Sequence, residues 1–114
     1  MVIRRGEIWW ASFRAPAGSG PGYRRPALVV QANDFNESRI NTVVVVAITS
    51  NLRLASAPGN VLSRKKDTGL SQDSVINVSQ VLTVDKGFLT QRVGAIAPKL
   101  LAQVTDGLRL VLAL

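Results

Sequence analysis

Two arginines, a threonine and a serine hold the chemistry this chain can offer an anion. Arg24 and Arg25 are adjacent in "YRRPALVV", and Thr49 and Ser50 close the run "TVVVVAITS". A guanidinium grips a phosphate through two parallel N–H donors and keeps its charge at any physiological pH. A hydroxyl adds a further donor. Histidine and cysteine are absent from the chain, which removes the commonest general acid/base, the thiolate nucleophile and the usual zinc ligands. The carboxylates Glu7, Asp34, Glu37, Asp67, Asp73, Asp85 and Asp106 are scattered singly, and only Asp34 and Glu37 lie close in sequence. That scatter speaks against a magnesium site built on converging acids. Gly18, Gly20 and Gly22 precede an apolar run of strand type rather than a helix, so they form no dinucleotide fingerprint, and the chain has no phosphate loop of the Walker type. The expectation is chemistry without a metal or a cofactor.

Such a set suits cleavage of RNA by its own 2′-hydroxyl, which demands charge stabilisation at the pentavalent phosphate more than an external nucleophile. The same residues have a plainer use, in which Arg25 extends its head to solvent and Thr49 caps a turn. The basic run Arg64-Lys65-Lys66 reads as a solvated loop, or as sequence-independent phosphate contacts if the partner is RNA. Trp9 and Trp10 are neighbours, so a strand sends them to opposite faces, one to the core and the other to packing, a dimer seam or base stacking.

The elements that must position these groups are mostly strands. "GEIWWASF" (6–13) reads as the first, and "RAPAGSGPGYR" (14–24) as a Pro/Gly/Ser surface loop. "PALVVQA" (26–32) is a strand opened by its proline, which sets Arg24 and Arg25 at a loop–strand junction. "NDFNESR" (33–39) is a turn or short helix, and "INTVVVVAIT" (40–49) is a β-branched strand buried on both faces. A weak strand spans 60–63. "DSVINVSQVLTVD" (73–85) alternates as a strand with one polar face, and "RVGAIA" (92–97) is a last short strand. From Pro98 the period becomes helical, with Leu100, Leu101, Val104, Leu108, Val111 and Leu112 on one face. Gly107 weakens that helix, so its stability must come from packing. Short strands followed by one helix predict a mostly β domain spanning 1–114: a small antiparallel barrel with a C-terminal helix.

With 114 residues, 46% of them apolar and 18% charged, the chain can bury a real core. Fourteen Lys/Arg against seven Asp/Glu give a net charge of +7, which favours a polyanionic partner. The N-terminal stretch lacks a signal-peptide core, and no apolar run is long enough to span a membrane. A cytoplasmic protein with no membrane partner is expected.

In order and spacing, "RGEIWWASF", the "GS" at 18–19 followed by "RRPALVVQ", "TVVVVAITSN", "PGNV", "DSVINVSQVLTVDK", "RVGAIAP" and "GLRLVLAL" resemble the MazF/PemK family of toxin endoribonucleases. The likeness covers nearly the whole chain. It implies an SH3-like barrel of the type shared with the CcdB group, a homodimer, and a cognate MazE-like antitoxin. It also implies metal-independent cleavage of single-stranded RNA at a short sequence through a 2′,3′-cyclic phosphate. The family's arginine of the Arg-Pro pair falls on Arg25 and its strand-ending threonine on Thr49, which makes these the candidate catalytic pair. Ser19 and Gln80 become candidate RNA-binding residues, and Arg24 and Ser50 stand beside them as further RNA contacts. Many members carry an acid directly after the "GS" pair. Gly20 stands there in this chain, so the pattern assigns no general base. Two rivals follow from the same features: a CcdB-like toxin that poisons gyrase without catalysis, and a barrel that binds RNA and leaves it intact.

Overall fold

The valine run forms the middle of a six-stranded sheet. This computed structural model describes residues 2–13 and 23–114, with backbone only for Phe13 and Tyr23. The strands are β1 (Glu7–Phe13), β2 (Tyr23–Val29), β3 (Thr42–Thr49), β4 (Val61–Ser63), β5 (Ser74–Asp85) and β6 (Leu89–Ala95). They lie in the order β4-β5-β3-β2-β1-β6, and each neighbouring pair is antiparallel. Among the described residues, three α-helices accompany them: α1 (Asn33–Asn36), α2 (Lys65–Thr68) and α3 (Pro98–Leu112). The sheet curls until the segment after its β4 edge meets its β6 edge, where Gly69 lies against Val93 and Gly94 against the Thr68 carbonyl. This is the half-barrel form of the expected architecture.

Alternation along the strands sorts side chains into two cores. Ile8, Leu28, Val46 and Ile48 face one side, where Val104 of α3 packs against them. Trp9, Ala11, Ala27, Val29, Val43 and Val45 face the other, closed by Ile3, Val84 and Leu89. The two tryptophans part as expected, Trp9 into the core and Trp10 half-buried on the opposite face.

Four sequence expectations need correction. Arg24 and Arg25 lie inside β2, not at its entrance, because pairing with β1 reaches back to Tyr23. Pro26 is accordingly an interior strand residue opposite Trp10. The ladder from β2 to β3 runs only over Ala27–Val29, so the proline, which has no N–H to give, stands where that ladder stops. The basic run 64–66 is not all loop, since Lys65 and Lys66 open α2 behind the extended Arg64. The apolar face of α3 is not buried to its end either. Val104 is fully buried, but Val111 and Leu112 are 41% and 51% exposed because the helix outruns the sheet beneath it.

Gly107 sits in α3 for a reason that propensity alone hides. A Cβ there would collide with the carbonyl oxygen of Gly59, itself at φ +83° in the turn before β4. Two glycines let the helix backbone touch that turn.

Candidate active site

Two alanines make the floor of the main groove. Ala27 of β2 pairs with Ala47 of β3, and side chains this small leave open space above the sheet. Continuing that register by two residues sets Arg25 level with Thr49. Both line a groove of about 880 Å³, together with Asn77, Gln80, Leu54 and Phe88. The strand alternation that separates the cores also separates the arginines: Arg25 shares the face of Ala27, while Arg24 takes the other. Rigid strands thus fix the origins of a guanidinium and a hydroxyl on one wall.

The Thr49 hydroxyl oxygen accepts the Asn51 N–H at 3.1 Å. It does cap a turn, as the plainer reading held, and that bond leaves the hydroxyl proton for donation elsewhere. The predicted turn-capping and phosphate-binding uses are therefore compatible in one side chain.

Gln80 reaches the groove through a break in β5. Val46 pairs with Val81, yet its neighbour Ala47 pairs with Asn77. Residues 78–80 are thus left without partners on β3 and bulge outward. Bulges of this kind re-aim side chains. Within the bulge, Asn77 Nδ2 donates to Gln80 Oε1 at 3.1 Å, and Asn77 Oδ1 accepts from Ser79 Oγ at 2.7 Å and from the Ser79 N–H at 3.3 Å. Simple alternation, which assigned Asn77 to a polar outer face, missed this. Val75, Ile76, Asn77 and Val78 are all buried. A short polar residue inside an apolar run was the available signal.

Arg24 and Ser50 do not join this groove. They line a second, smaller depression with Trp10, Ser71, Gln72 and Ser74, and Arg25 borders both. The Arg24 guanidinium lies 5.0 Å from the centre of the Trp10 ring, and its Nη2 donates to Gln91 Oε1 at 3.1 Å. This half-buried tryptophan is therefore faced by a cation. Ser19, Gly20 and the loop around them lie outside the described residues.

Away from the groove, Glu7 is buried and triply hydrogen-bonded. It accepts from the Arg4 N–H at 2.9 Å, from Trp9 Nε1 at 3.0 Å and from Arg92 Nε at 2.7 Å. Burial alone would raise its pKa. The bonds from Arg92, Arg4 and Trp9, with the Arg92 charge, outweigh that and hold the carboxyl below its ordinary value. Among the described residues, no three acids gather into a metal-ligating array.

A family model for PemK-like, MazF-like toxins of type II toxin–antitoxin systems matches residues 4–112. The chain belongs to this family. It is 48% identical over all 114 residues, covering the whole of both chains, to the endoribonuclease MazF6 of Mycobacterium tuberculosis. It is 34% identical to the endoribonuclease EndoA of Bacillus subtilis, covering all of this chain and 97% of that one. The fold agrees with MazF in a MazE–MazF crystal structure from Deinococcus radiodurans, at a TM-score of 0.83 and 23% identity, covering 100% and 98% of the two chains. It also agrees with a mycobacterial endoribonuclease solved in complex with its cognate antitoxin, at a TM-score of 0.78 and 24% identity over 98% and 96%. In the PemK/MazF frame, the groove between β2, β3 and the β5 bulge is the candidate active site.

Proposed function

We propose that this PemK/MazF chain is the toxin of a toxin–antitoxin pair, an endoribonuclease that cuts single-stranded RNA at a short sequence. The observation that carries the reading is the convergence of Arg25, Thr49 and Gln80 on one groove. Arg25 binds the scissile phosphate through its fork and stabilises the charge that builds at phosphorus. The Thr49 hydroxyl donates to the same phosphate. The RNA's own 2′-hydroxyl gives its proton to solvent as its oxygen bonds to phosphorus, the bond to the 5′-oxygen breaks and that oxygen takes a proton from solvent, leaving a 2′,3′-cyclic phosphate and a 5′-hydroxyl. No step requires a metal ligand or a histidine, and the chain has no histidine to offer.

Gln80 binds RNA in the groove, and Ser19, which lies outside the described residues, is a further RNA contact. Arg24 and Ser50 extend the contact into the neighbouring depression. The protein acts in the cytoplasm as a homodimer and is held inactive by a MazE-like antitoxin whose tail competes for the basic groove. The last turn of α3, apolar and exposed in the single chain, offers surface that pairing would cover. Among the described residues, no helix is long and apolar enough to cross a membrane. Relatives named as endoribonucleases favour RNA cleavage over gyrase poisoning and over passive RNA binding. The test is an RNA oligonucleotide cut at one site, compared with the same oligonucleotide carrying a single 2′-deoxyribose there. The deoxy substrate should remain intact and the ribose product should end in a cyclic phosphate. Equal cutting of both would overturn the mechanism.

A further inference from the structure

We propose that Gln80 reads RNA as a hydrogen-bond donor, selecting a base with a carbonyl at pyrimidine position 4 or purine position 6, and that Asn77 sets this polarity. The inference rests on the endoribonuclease reading above and names what that site recognises.

The polarity is set outward from the backbone. The Ser79 N–H can only donate, and it meets Asn77 Oδ1 at 3.3 Å; the Ser79 hydroxyl donates to the same oxygen at 2.7 Å. The Asn77 amide is thereby oriented, oxygen toward Ser79 and Nδ2 away from it. Nδ2 in turn donates to Gln80 Oε1 at 3.1 Å. Turning the Gln80 amide over would set one NH2 group against another, so its oxygen is committed to Asn77. Oε1 keeps a second lone pair, but the end of the amide turned away from Asn77 is Nε2, which offers N–H donors. Asn77 is 6% exposed, so water does not readily replace these bonds. Gln80 is exposed and lines the groove.

A fixed donor discriminates among bases. It does so where it meets the exocyclic group at pyrimidine position 4 or purine position 6: there uracil O4 and guanine O6 accept, whereas cytosine N4 and adenine N6 are amino groups that donate. At one position of the recognised sequence, keto bases should be favoured over amino bases by about ten-fold, the scale of one well-made base contact. The scaffold makes this reversible. In Asn77→Asp, both carboxylate oxygens accept, so Gln80 must turn Nε2 inward and present its oxygen. In Gln80→Glu, Asn77 still donates to one oxygen and the other faces the ligand as an acceptor. Both variants reach the same inverted polarity by different routes. Asn77→Leu removes the lock, and the preference should shrink toward none.

The experiment uses a random-sequence RNA pool in two forms. The ribose pool is cut and the ends sequenced. The 2′-O-methyl pool, which cannot be cut by its own 2′-oxygen, is selected for binding and sequenced. The proposal expects wild-type protein to show one position enriched in uracil or guanine, and Asn77→Asp and Gln80→Glu to shift that position to cytosine or adenine. A thermal melt shows whether Asn77→Asp folds; if it does not, Gln80→Glu alone decides. The same base preferences in wild type and folded variants would overturn the proposal, as would a wild-type preference for amino bases only. Cutting without inversion removes the polarity assignment and leaves the ribonuclease. Inversion in the bound pool without any cutting does the reverse.

Discussion

Thr49 caps a turn and, in the proposed function, donates to the phosphate through the same hydroxyl. Its oxygen takes the Asn51 N–H, so removing the hydroxyl also removes a local bond. Thr49→Ser keeps the donor and should retain most of the cleavage rate. Thr49→Val keeps the shape without the donor and should lose about 100-fold or more, within the range for deleting one transition-state donor; single-turnover rates on one oligonucleotide separate the two. Glu7 belongs to the fold rather than the chemistry. Its pKa is lower in the folded chain than its ordinary value, so its stabilising contribution is fully present above that ordinary value. The contribution fades as pH falls through the depressed folded value. Denaturant unfolding followed from neutral to acid pH should show stability declining in that window, and Glu7→Gln should be less stable at neutral pH, with a weaker acid dependence. Unchanged acid sensitivity in Glu7→Gln would assign that decline to other carboxylates.

The strands carry the site because their alternation assigns faces. Arg25 and Arg24 are one residue apart and therefore serve different depressions, a separation that follows once both lie within β2. A proline in the run suggested a strand start at 26; pairing to β1 overrode that signal, since a proline is tolerated where a ladder ends. The bulge in β5 was beyond a period-two reading, because residues 78–80 break the period without a glycine or proline to mark the place. Helix α3 was legible in its onset at Pro98 and in Val104, but how far the sheet extends beneath its last turn is tertiary information. The contact of Gly59 with Gly107 makes a test of packing against propensity. Gly107→Ala should strengthen an isolated helix by about 1 kcal/mol, yet in the protein the added methyl meets the Gly59 carbonyl. Overpacking of this kind costs about 1–3 kcal/mol, so the melting temperature should fall. A rise would mean that the turn before β4 yields freely.

At the scale of the whole molecule, the net charge of +7 draws a polyanion to the surface, and the groove decides what happens there. Arg24, stacked near Trp10 in the second depression, is placed to extend the RNA path beyond the cut. If it contacts one phosphate, Arg24→Ala should weaken binding and lower the slope of log affinity against log salt by about 0.7, the value for one contact on a single strand, with the cut sequence unmoved. A changed cut sequence would make Arg24 a base reader instead. The family, the antiparallel architecture and the strand-ending position of Thr49 were legible in the sequence because they rest on motif order and a strand end, whereas the place of Arg25 inside β2 was not. The division of the surface into two depressions was not, since it depends on which way each strand residue points. In the proposed function, Arg25 stabilises the phosphate during RNA cleavage. The most direct test of that role is single-turnover cutting of one RNA oligonucleotide in EDTA by wild type and by Arg25→Ala. Discrete wild-type cuts that slow by about 100-fold or more in the variant are the predicted result; cuts that persist undiminished in Arg25→Ala would contradict it.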